Sequence, residues 1–327
     1  MQRRAFVAAG LAGLIVPAAT HGQSQQKNFR VAHLGGGGRT PDGGPPASLR
    51  EGLRELGYVE GRNIAYEARY AEGRPERLPE LAAELVRLKV DVFIAQESPA
   101  QFAAKQATST IPIVTAPAAG DLVGTGMIAS LARPGGNVTG LSDDSLPLSA
   151  KRMELLKEAV PKASVIAVLW NADDRGMTLR SQEIEKAARI LKVDVQPIGV
   201  RTKEELVAAL AELGRRQPGA VFVVADSLTV MNRKPIIEFL TNQRIPAMYE
   251  LASFVNDGGL MAYGPDPAEM FRKAAVYVDR LLKGAKPADL PAELPTRYYL
   301  TLNQKAAEAM GLPIPPVLLL RADNIVK

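Results

Sequence analysis

Residues 111–142, IPIVTAPAAGDLVGTGMIASLARPGGNVTGLS, and residues 245–266, IPAMYELASFVNDGGLMAYGPD, follow one pattern. Each begins with Ile-Pro and a short apolar run, passes through a turn that contains glycines, and ends in a second short run. Apolar runs of this length between turn residues are typical of buried strands. The shared pattern therefore indicates an internal repeat.

Both copies of the repeat extend towards the N-terminus as alternating strands and helices. The alternation of strands and helices begins at residue 29 with FRVAHL, and a helix is predicted near 121–132. The same alternation begins again at residue 164 with SVIAVLW. The runs VIAVLW and AVFVVA are almost wholly apolar, as expected of parallel strands covered on both faces. We therefore predict an α/β protein of two doubly wound parallel-sheet lobes with a ligand cleft between them. One large Rossmann sheet is the alternative.

The connections between the lobes set the expected domain boundaries. Lobe 1 is expected to comprise residues 28–145 and roughly 265–285, and lobe 2 residues 146–264 and roughly 286–327. The length of 327 residues also exceeds the size at which a single core keeps growing, which favours two domains.

Residues 1–22 have the layout of a secretory signal peptide. Arg3 and Arg4 precede an apolar stretch to about Val16 that is too short to span a bilayer, and small residues then lead into a polar segment. The arginine pair also fits a twin-arginine signal, so the general secretory route and the twin-arginine route both stay open. The sequence thus predicts export to the periplasm, with a mature chain that starts near Gln23.

The composition excludes several kinds of catalytic site. The chain has no cysteine and only two histidines, His21 and His33. Thiolate catalysis, disulfides and zinc–sulfur sites are thereby excluded, and a Ser–His–Asp triad would depend on a single histidine. A formal net charge of +5 without a dense basic run gives no stripe for nucleic acid. We predict a protein that is not an enzyme and that uses no metal, no cofactor and no nucleic acid.

A run of four glycines, Gly35–Gly38, follows the first strand and raises a nucleotide-binding alternative. The G-x-G-x-x-G spacing does not fit, because Thr40 and Pro41 stand where the third glycine is required, and the P-loop spacing does not fit either. We instead expect a strand-end loop close to a ligand, formed around Gly36 and Gly37.

Polar residues follow predicted strands of both lobes, at the ends where open parallel sheets bind ligands. Ser98 and Pro99 begin a predicted helix, whose free backbone N–H groups suit a ligand carboxylate. Capping of helices and turns alone is the alternative for these polar residues. The candidate ligand-binding residues are Gly36, Gly37, Ser98, Pro99, Asp121, Asn171, Asp226, Tyr249, Glu250 and Tyr263.

Four longer phrases of the sequence are specific enough to indicate a family. They are LARPGGNVTGLS, KRMELLKEAVPKASVIAVLWNAD, GGLMAYGPD and LLKGAKPADLPAELPTRYYLTLNQKAAEAMGLPIPP. Together they resemble the bacterial ABC-transporter substrate-binding proteins of the tryptophan/tyrosine-binding-like family, over nearly the whole mature chain. The resemblance implies a periplasmic-binding-protein fold of type I that closes on a small ligand and delivers it to an inner-membrane ABC permease.

The resemblance also implies which residues line the cleft. Two positions depart from the family pattern: Leu122 stands where a proline is frequent, and Glu250 stands where a small residue is frequent. An added carboxylate in the cleft would favour an amine or exclude an acid. By position, the cleft residues of the family correspond to Ser98, Asp121, Asn171, Asp226 and Tyr249.

These features together predict an exported solute-binding protein that captures a small organic ligand by hinge closure and passes it to an ABC importer. The ligand is expected to be an amino-acid-like, aromatic or carboxylate compound, and the protein a monomer. Two alternatives stay open from sequence. An exported ligand-sensor domain would use the same two lobes, whereas a Rossmann-type enzyme would need the cofactor fingerprint that the glycine run lacks.

Overall fold

The computed structural model of the protein describes residues 28–117, 120–142 and 146–327. The predicted signal segment, residues 1–22, lies outside the described residues. In the part of the chain that is described, no helix is long and apolar enough to cross a membrane.

The first lobe is built on a five-stranded parallel sheet. Its elements are β1 (Phe29–Gly35), α1 (Ala47–Glu55), β2 (Ile64–Tyr70), α2 (Leu78–Arg87), β3 (Val92–Gln96), α3 (Ser98–Ala107), β4 (Ile113–Thr115) and β5 (Val138–Gly140). The strands lie in the order β2-β1-β3-β4-β5. In this order the chain reverses its winding direction between β1 and β3, which creates a crevice at their carboxyl ends.

The second lobe repeats this arrangement. Its elements are α4 (Leu146–Ala159), β6 (Val165–Asn171), α5 (Arg175–Ile190), β7 (Asp194–Val200), α6 (Lys203–Arg216), β8 (Ala220–Val223), α7 (Ser227–Met231), α8 (Arg233–Asn242), β9 (Ala247–Tyr249), α9 (Ala252–Asn256) and β10 (Met261–Gly264). These strands lie in the order β7-β6-β8-β9-β10, which matches the first sheet strand for strand. The internal repeat is therefore confirmed, and so is the prediction of two parallel-sheet lobes.

The C-terminal part of the chain serves both lobes. Its elements are α10 (Pro267–Leu282), β11 (Tyr299–Asn303), α11 (Gln304–Met310), α12 (Pro316–Arg321) and β12 (Asn324–Val326). Helix α10 packs on the first lobe, where Phe271 and Ala274 share a hydrophobic core with Val31 and Ile94. Strand β11 then joins the second sheet antiparallel to β10, and β12 pairs parallel to β11.

The chain passes between the lobes at three places, which lie side by side. They are the segment after β5, the segment between β10 and α10, and the segment before β11. Leu141, Pro265 and Pro295, one residue from each connection, line a single small cavity of about 40 Å³. A short bridge also pairs Leu141 with Glu293. The three connections are therefore neighbours rather than separate linkers.

The helix predicted near 121–132 does not form, and that prediction was wrong. The Asp121 side chain accepts hydrogen bonds from the backbone N–H groups of Val123 at 3.0 Å and Gly124 at 2.8 Å. Gly126 has a φ of +75°, outside the right-handed helical region. These side-chain bonds satisfy the backbone locally, so the segment folds as turns instead of a helix.

Candidate functional site

The carboxyl ends of strands from the two lobes meet across a narrow cleft. A Cβ atom placed on Gly36, which follows β1, would lie 3.2 Å from Oγ of Ser227, which follows β8. One placed on Gly176, in the first turn of α5, would lie only 2.5 Å from Oγ of Ser98. The two lobes are therefore in contact at the strand ends where doubly wound sheets bind ligands.

A cavity of about 90 Å³ lies in this cleft. Apolar side chains such as Val230, Leu251 and Met270 form part of its wall. Cavities that combine apolar walls with a few converging polar groups are typical small-molecule sites. The ionisable side chains in its lining are Glu97, Arg152, Arg180, Asp226 and Glu250.

Glu250, directly after β9, lies between two arginines. Its Oε1 accepts a hydrogen bond from Nη1 of Arg152 at 2.6 Å, and its Oε2 accepts one from Nη1 of Arg180 at 2.7 Å. The backbone N–H of Ala225 also donates to Oε2, at 3.0 Å. All three charged side chains are no more than 3% exposed. Two cations and one anion leave this group with a formal charge of +1, so the added carboxylate does not make its surroundings acidic.

Glu97 is the buried acid of the first lobe. It forms the turn from β3 into α3 with a φ of 70°, a left-handed backbone that glutamate seldom adopts. Its Oε2 has no hydrogen-bond partner among the residues that the structure describes. Burial, reinforced by the negative charges of Asp226 and Asp174, raises the pKa of Glu97 to about 8, although the nearby Ser227 hydroxyl and Gly36 amide oppose the shift.

Asp174 faces Glu97 from the second lobe as the N-cap of α5. Its Oδ1 accepts hydrogen bonds from the backbone N–H groups of Gly176 at 2.8 Å and Met177 at 3.3 Å. Burial, followed by the charge of Asp226, raises its pKa to about 6. Because it caps a sixteen-residue helix, Asp174 is fixed to the second lobe.

Asp226 is the third buried acid that the second lobe contributes, after Glu250 and Asp174. It caps α7 in a capping box with Thr229, whose backbone N–H donates to Oδ1 at 2.8 Å. Nδ2 of Asn171 donates to its Oδ2 at 2.6 Å. Burial raises the pKa of Asp226, and these hydrogen bonds oppose the rise. Both oxygens of Asp226 are thus engaged by the protein, while its charge still acts on Glu97.

The comparison with known proteins matches this architecture. A family model described as "ABC transporter substrate binding protein" matches residues 47–326. The chain belongs to this family. The predicted family is therefore confirmed. So is the prediction that the protein is not an enzyme, because proteins of this family bind a small solute for an ABC transporter.

Individual relatives of this substrate-binding protein include proteins of several bacteria. The tyrosine-binding protein of Clostridioides difficile (strain R20291) is 28% identical over 274 residues, which are 84% of this chain and 76% of the relative. A conserved domain protein of Vibrio cholerae has a TM-score of 0.86 at 26% identity, over 91% of this chain and 100% of its own. An ABC domain of Streptococcus pneumonia, solved in complex with L-Trp, has a TM-score of 0.84 at 22% identity, over 92% and 100%.

Four of the predicted residues of the substrate-binding protein lie on the cleft side of the first lobe. Gly36 lies next to Glu97, since a Cβ atom there would lie 2.5 Å from Oε2 of Glu97 and the glutamate side chain would have to move. Gly37 follows in the same loop, with the corresponding distance to Glu97 at 3.6 Å. Ser98 and Pro99 begin α3, and Ser98 is buried against Gly176.

Asn171, Asp226 and Glu250 lie on the cleft side of the second lobe, and only the last two line the cavity. Asn171 reaches the site through its hydrogen bond to Asp226. The acid at position 250, predicted from sequence to select the charge of the ligand, already has protein donors on both of its oxygens.

The side chains at the remaining three predicted positions lie outside the cavity lining. The Asp121 side chain accepts hydrogen bonds from the backbone of its own turn. The ring of Tyr249 is 1% exposed and stacks on Phe254 with centroids 4.7 Å apart, in the core of the second lobe. Tyr263 contributes its carbonyl oxygen, which accepts a hydrogen bond from Nε of Arg152 at 2.6 Å, while its ring packs near Tyr298. None of these three side chains is part of the cavity lining.

Sequence reasoning missed four charged residues of the site, Glu97, Asp174, Arg152 and Arg180. Glu97 directly follows a predicted strand and Asp174 lies four residues after another, so the rule that ligands bind at strand ends could have found them. The two arginines belong to helices α4 and α5, and nothing in their local pattern indicates that they point into the cleft.

Proposed function

We propose that this protein is exported and that it holds a small organic ligand in the cleft between its lobes, for delivery to an inner-membrane ABC importer. The observation that carries this proposal is the enclosed cavity in which Glu97 has an oxygen without a protein partner. A buried polar atom of this kind loses free energy unless a ligand or water satisfies it. The apolar wall of the same cavity suits the body of an organic molecule.

We also propose that the lobes close on the ligand by bending at the three connections. The proposed lobes are residues 28–145 with roughly 265–285, and 146–264 with roughly 286–327. Leu290 supports a later final crossing, near residue 294, because its carbonyl oxygen still accepts a hydrogen bond from Oγ1 of Thr139 in β5, at 2.7 Å. Contacts with both lobes would give the ligand a higher affinity for the closed state, and this difference drives closure.

Aromatic amino acids are the first ligands to test, because the relatives named above are described as binding tyrosine or L-Trp. We expect saturating L-tyrosine or L-tryptophan to raise the melting temperature of the purified protein. A ligand that binds only the native state stabilises it by about 2.7 kcal/mol at a hundredfold excess over Kd. Thermal-shift measurement checks this, together with mass spectrometry of any solute released on denaturation. Consumption of the solute by the protein would contradict the proposal.

Export is tested separately, by N-terminal sequencing of the periplasmic fraction. We expect the mature chain to begin near Gln23, because residues 1–22 have the layout of a cleaved signal. Replacing both Arg3 and Arg4 with lysine should block export only if the twin-arginine route is used. Recovery of the full-length chain from the cytoplasm alone would oppose this part of the proposal.

The close approach of Gly176 to Ser98 gives a direct test of closure. Gly176→Ala should weaken ligand binding roughly tenfold, because the new methyl group would lie 2.5 Å from Oγ of Ser98 in the opposite lobe. The stability of the ligand-free protein should be unchanged, since alanine is favourable within a helix. Calorimetric titration and melting curves measure the two effects.

A second substitution provides the matched control for this experiment. In the double variant with Ser98→Ala, Oγ is gone and the nearest remaining atom of the opposite lobe, Cβ at position 98, lies 3.5 Å away, an ordinary contact. Oδ1 of Asp174, in the same lobe as Gly176, lies 3.2 Å from the new methyl group in both variants. The double variant should therefore bind better than Gly176→Ala alone. Equal affinities for the two variants would show that the lobes do not approach each other here when ligand binds.

A further inference from the structure

Three buried carboxylates meet across the cleft, and they belong to different lobes. Asp174 and Asp226 are held in the second lobe as helix caps, by hydrogen bonds from their own backbone surroundings. Glu97 belongs to the first lobe, follows β3, and is 7% exposed. Closure of the lobes is therefore the step that brings the Glu97 charge against the other two and removes it from water.

The charges of the described residues around the cavity do not cancel. In the part of the chain that the structure describes, the acids are these three carboxylates and Glu250, and the bases that face them are Arg152 and Arg180, so four negative and two positive charges leave a formal −2 when all are ionised. Both arginines donate hydrogen bonds to Glu250, and the charge of Arg180 also acts on Asp174. Like charges buried together are unfavourable in a low dielectric. An empty closed cleft therefore carries an electrostatic cost that a bound cation removes.

We propose that Glu97, Asp174 and Asp226 form a closure gate, which lets the lobes close fully only around a ligand that carries a positively charged amino group next to Glu97. This inference rests on the proposed function, because it concerns the same cleft and the same movement. It adds the chemical class of the ligand and the reason why the empty protein stays open.

The free oxygen of Glu97 indicates an organic ammonium group rather than a metal ion. Oε2 of Glu97 lacks a partner in the described part of the chain, whereas both oxygens of Asp226 and Oδ1 of Asp174 already accept protein hydrogen bonds. Among the residues that the structure describes, no group of three or more acidic, histidine or cysteine side chains is placed to hold a metal ion. One free acceptor next to two fixed negative charges suits an N–H donor that carries a full positive charge.

The ligand requirement can be measured on the unaltered protein with three probes that share a 4-hydroxyphenyl group and differ in the charged groups that they carry. L-tyrosine and tyramine carry the amino group, and 3-(4-hydroxyphenyl)propionate lacks it. We expect the amino-free compound to bind roughly a hundredfold more weakly than L-tyrosine, on the scale of a lost charge-assisted hydrogen bond in a buried site. Binding of the amino-free compound as tightly as L-tyrosine would overturn the proposal.

The gate itself is tested without any ligand, by small-angle X-ray scattering of Glu97→Gln at pH 8. Removing one of the three charges should favour the closed form, so the variant should have a smaller radius of gyration than the unaltered protein. Glu72→Gln is the matched control. Glu72 is also a first-lobe glutamate with a left-handed backbone, at φ 56°, but its side chain is 44% exposed at the cleft mouth.

The outcomes separate the gate from the proposed ligands. If none of the three probes binds and Glu97→Gln is still more compact than the unaltered protein, the gate stands and the choice of aromatic ligands is wrong. If Glu97→Gln and Glu72→Gln both have the same radius of gyration as the unaltered protein, the gate is refuted even where L-tyrosine binds.

Discussion

Replacing Glu250 with glutamine should lower the free energy of unfolding of the ligand-free protein by about 3–5 kcal/mol, the usual cost of removing one partner from a buried ion pair. The substitution keeps the shape of the side chain and removes its charge. The formal charge of the group with Arg152 and Arg180 then rises from +1 to +2, with all three side chains no more than 3% exposed. Unfolding in urea, followed by circular dichroism, measures the loss.

The same substitution at Glu212 is the matched control for this prediction. Glu212 also pairs with two arginines, Arg215 and Arg216, but all three lie on the surface of α6, with 32% to 75% of their side chains exposed. Exposed ion pairs contribute about 0–1 kcal/mol, so Glu212→Gln should have little effect. Equal losses for the two variants would show that the burial of the Glu250 group does not determine its stability.

Lowering the pH should close the ligand-free protein. The pKa of Glu97 is about 8 in the closed structure, because of burial and the charges of Asp226 and Asp174, and its ordinary value of 4.5 applies when the cleft opens to water. The closed form therefore binds the proton more tightly and is favoured below pH 8. Between pH 8 and 4.5 the ratio of closed to open protein should change about tenfold per pH unit, or about 1.4 kcal/mol.

The sign of this effect distinguishes it from a general loss of structure in acid. The protonation of Glu97 stabilises the closed form fully below pH 4.5, and this contribution is lost as the pH rises through 8. Asp174, with a raised pKa of about 6, acts in the same direction in the lower part of the window, where Arg180 opposes it. Scattering at pH 5.5, 7 and 8.5 should show a radius of gyration that grows with pH. A radius that is constant with pH, or one that changes equally in Glu97→Gln, would contradict the prediction.

The fold could be predicted because its signal extends over the whole chain. Continuous apolar runs such as those that became β6 and β8 identify parallel strands, and their repeated order identifies two lobes. The helix predicted near 121–132 was wrong because the glycines of this segment and the turn at Asp121 outweigh its weak helical pattern. That competition depends on particular hydrogen bonds, which periodicity does not report.

From the sequence, the candidate site could be located only at the ends of the strands. Tyr249 ends β9 and Glu250 follows it, and successive residues of an extended chain point to opposite sides, so only one of them can face the cleft. The sequence does not say which one, and the structure places the tyrosine ring in the core. Arg152 and Arg180 come from helices far away in the chain, so only the folded second lobe brings them to Glu250.

The three neighbouring connections between the lobes also affect how much a ligand must contribute to closure. One linker would let the lobes twist, swing and separate, and binding would have to remove all of that freedom. In the proposed closure, three connecting segments around one small cavity, with Pro265 and Pro295 among them, would leave little more than bending about a single axis. The lobes then search few relative orientations before they meet. The entropy cost of orienting the two lobes is met when the chain folds. The contacts between the solute and the lobes can then contribute to specificity instead of to this cost.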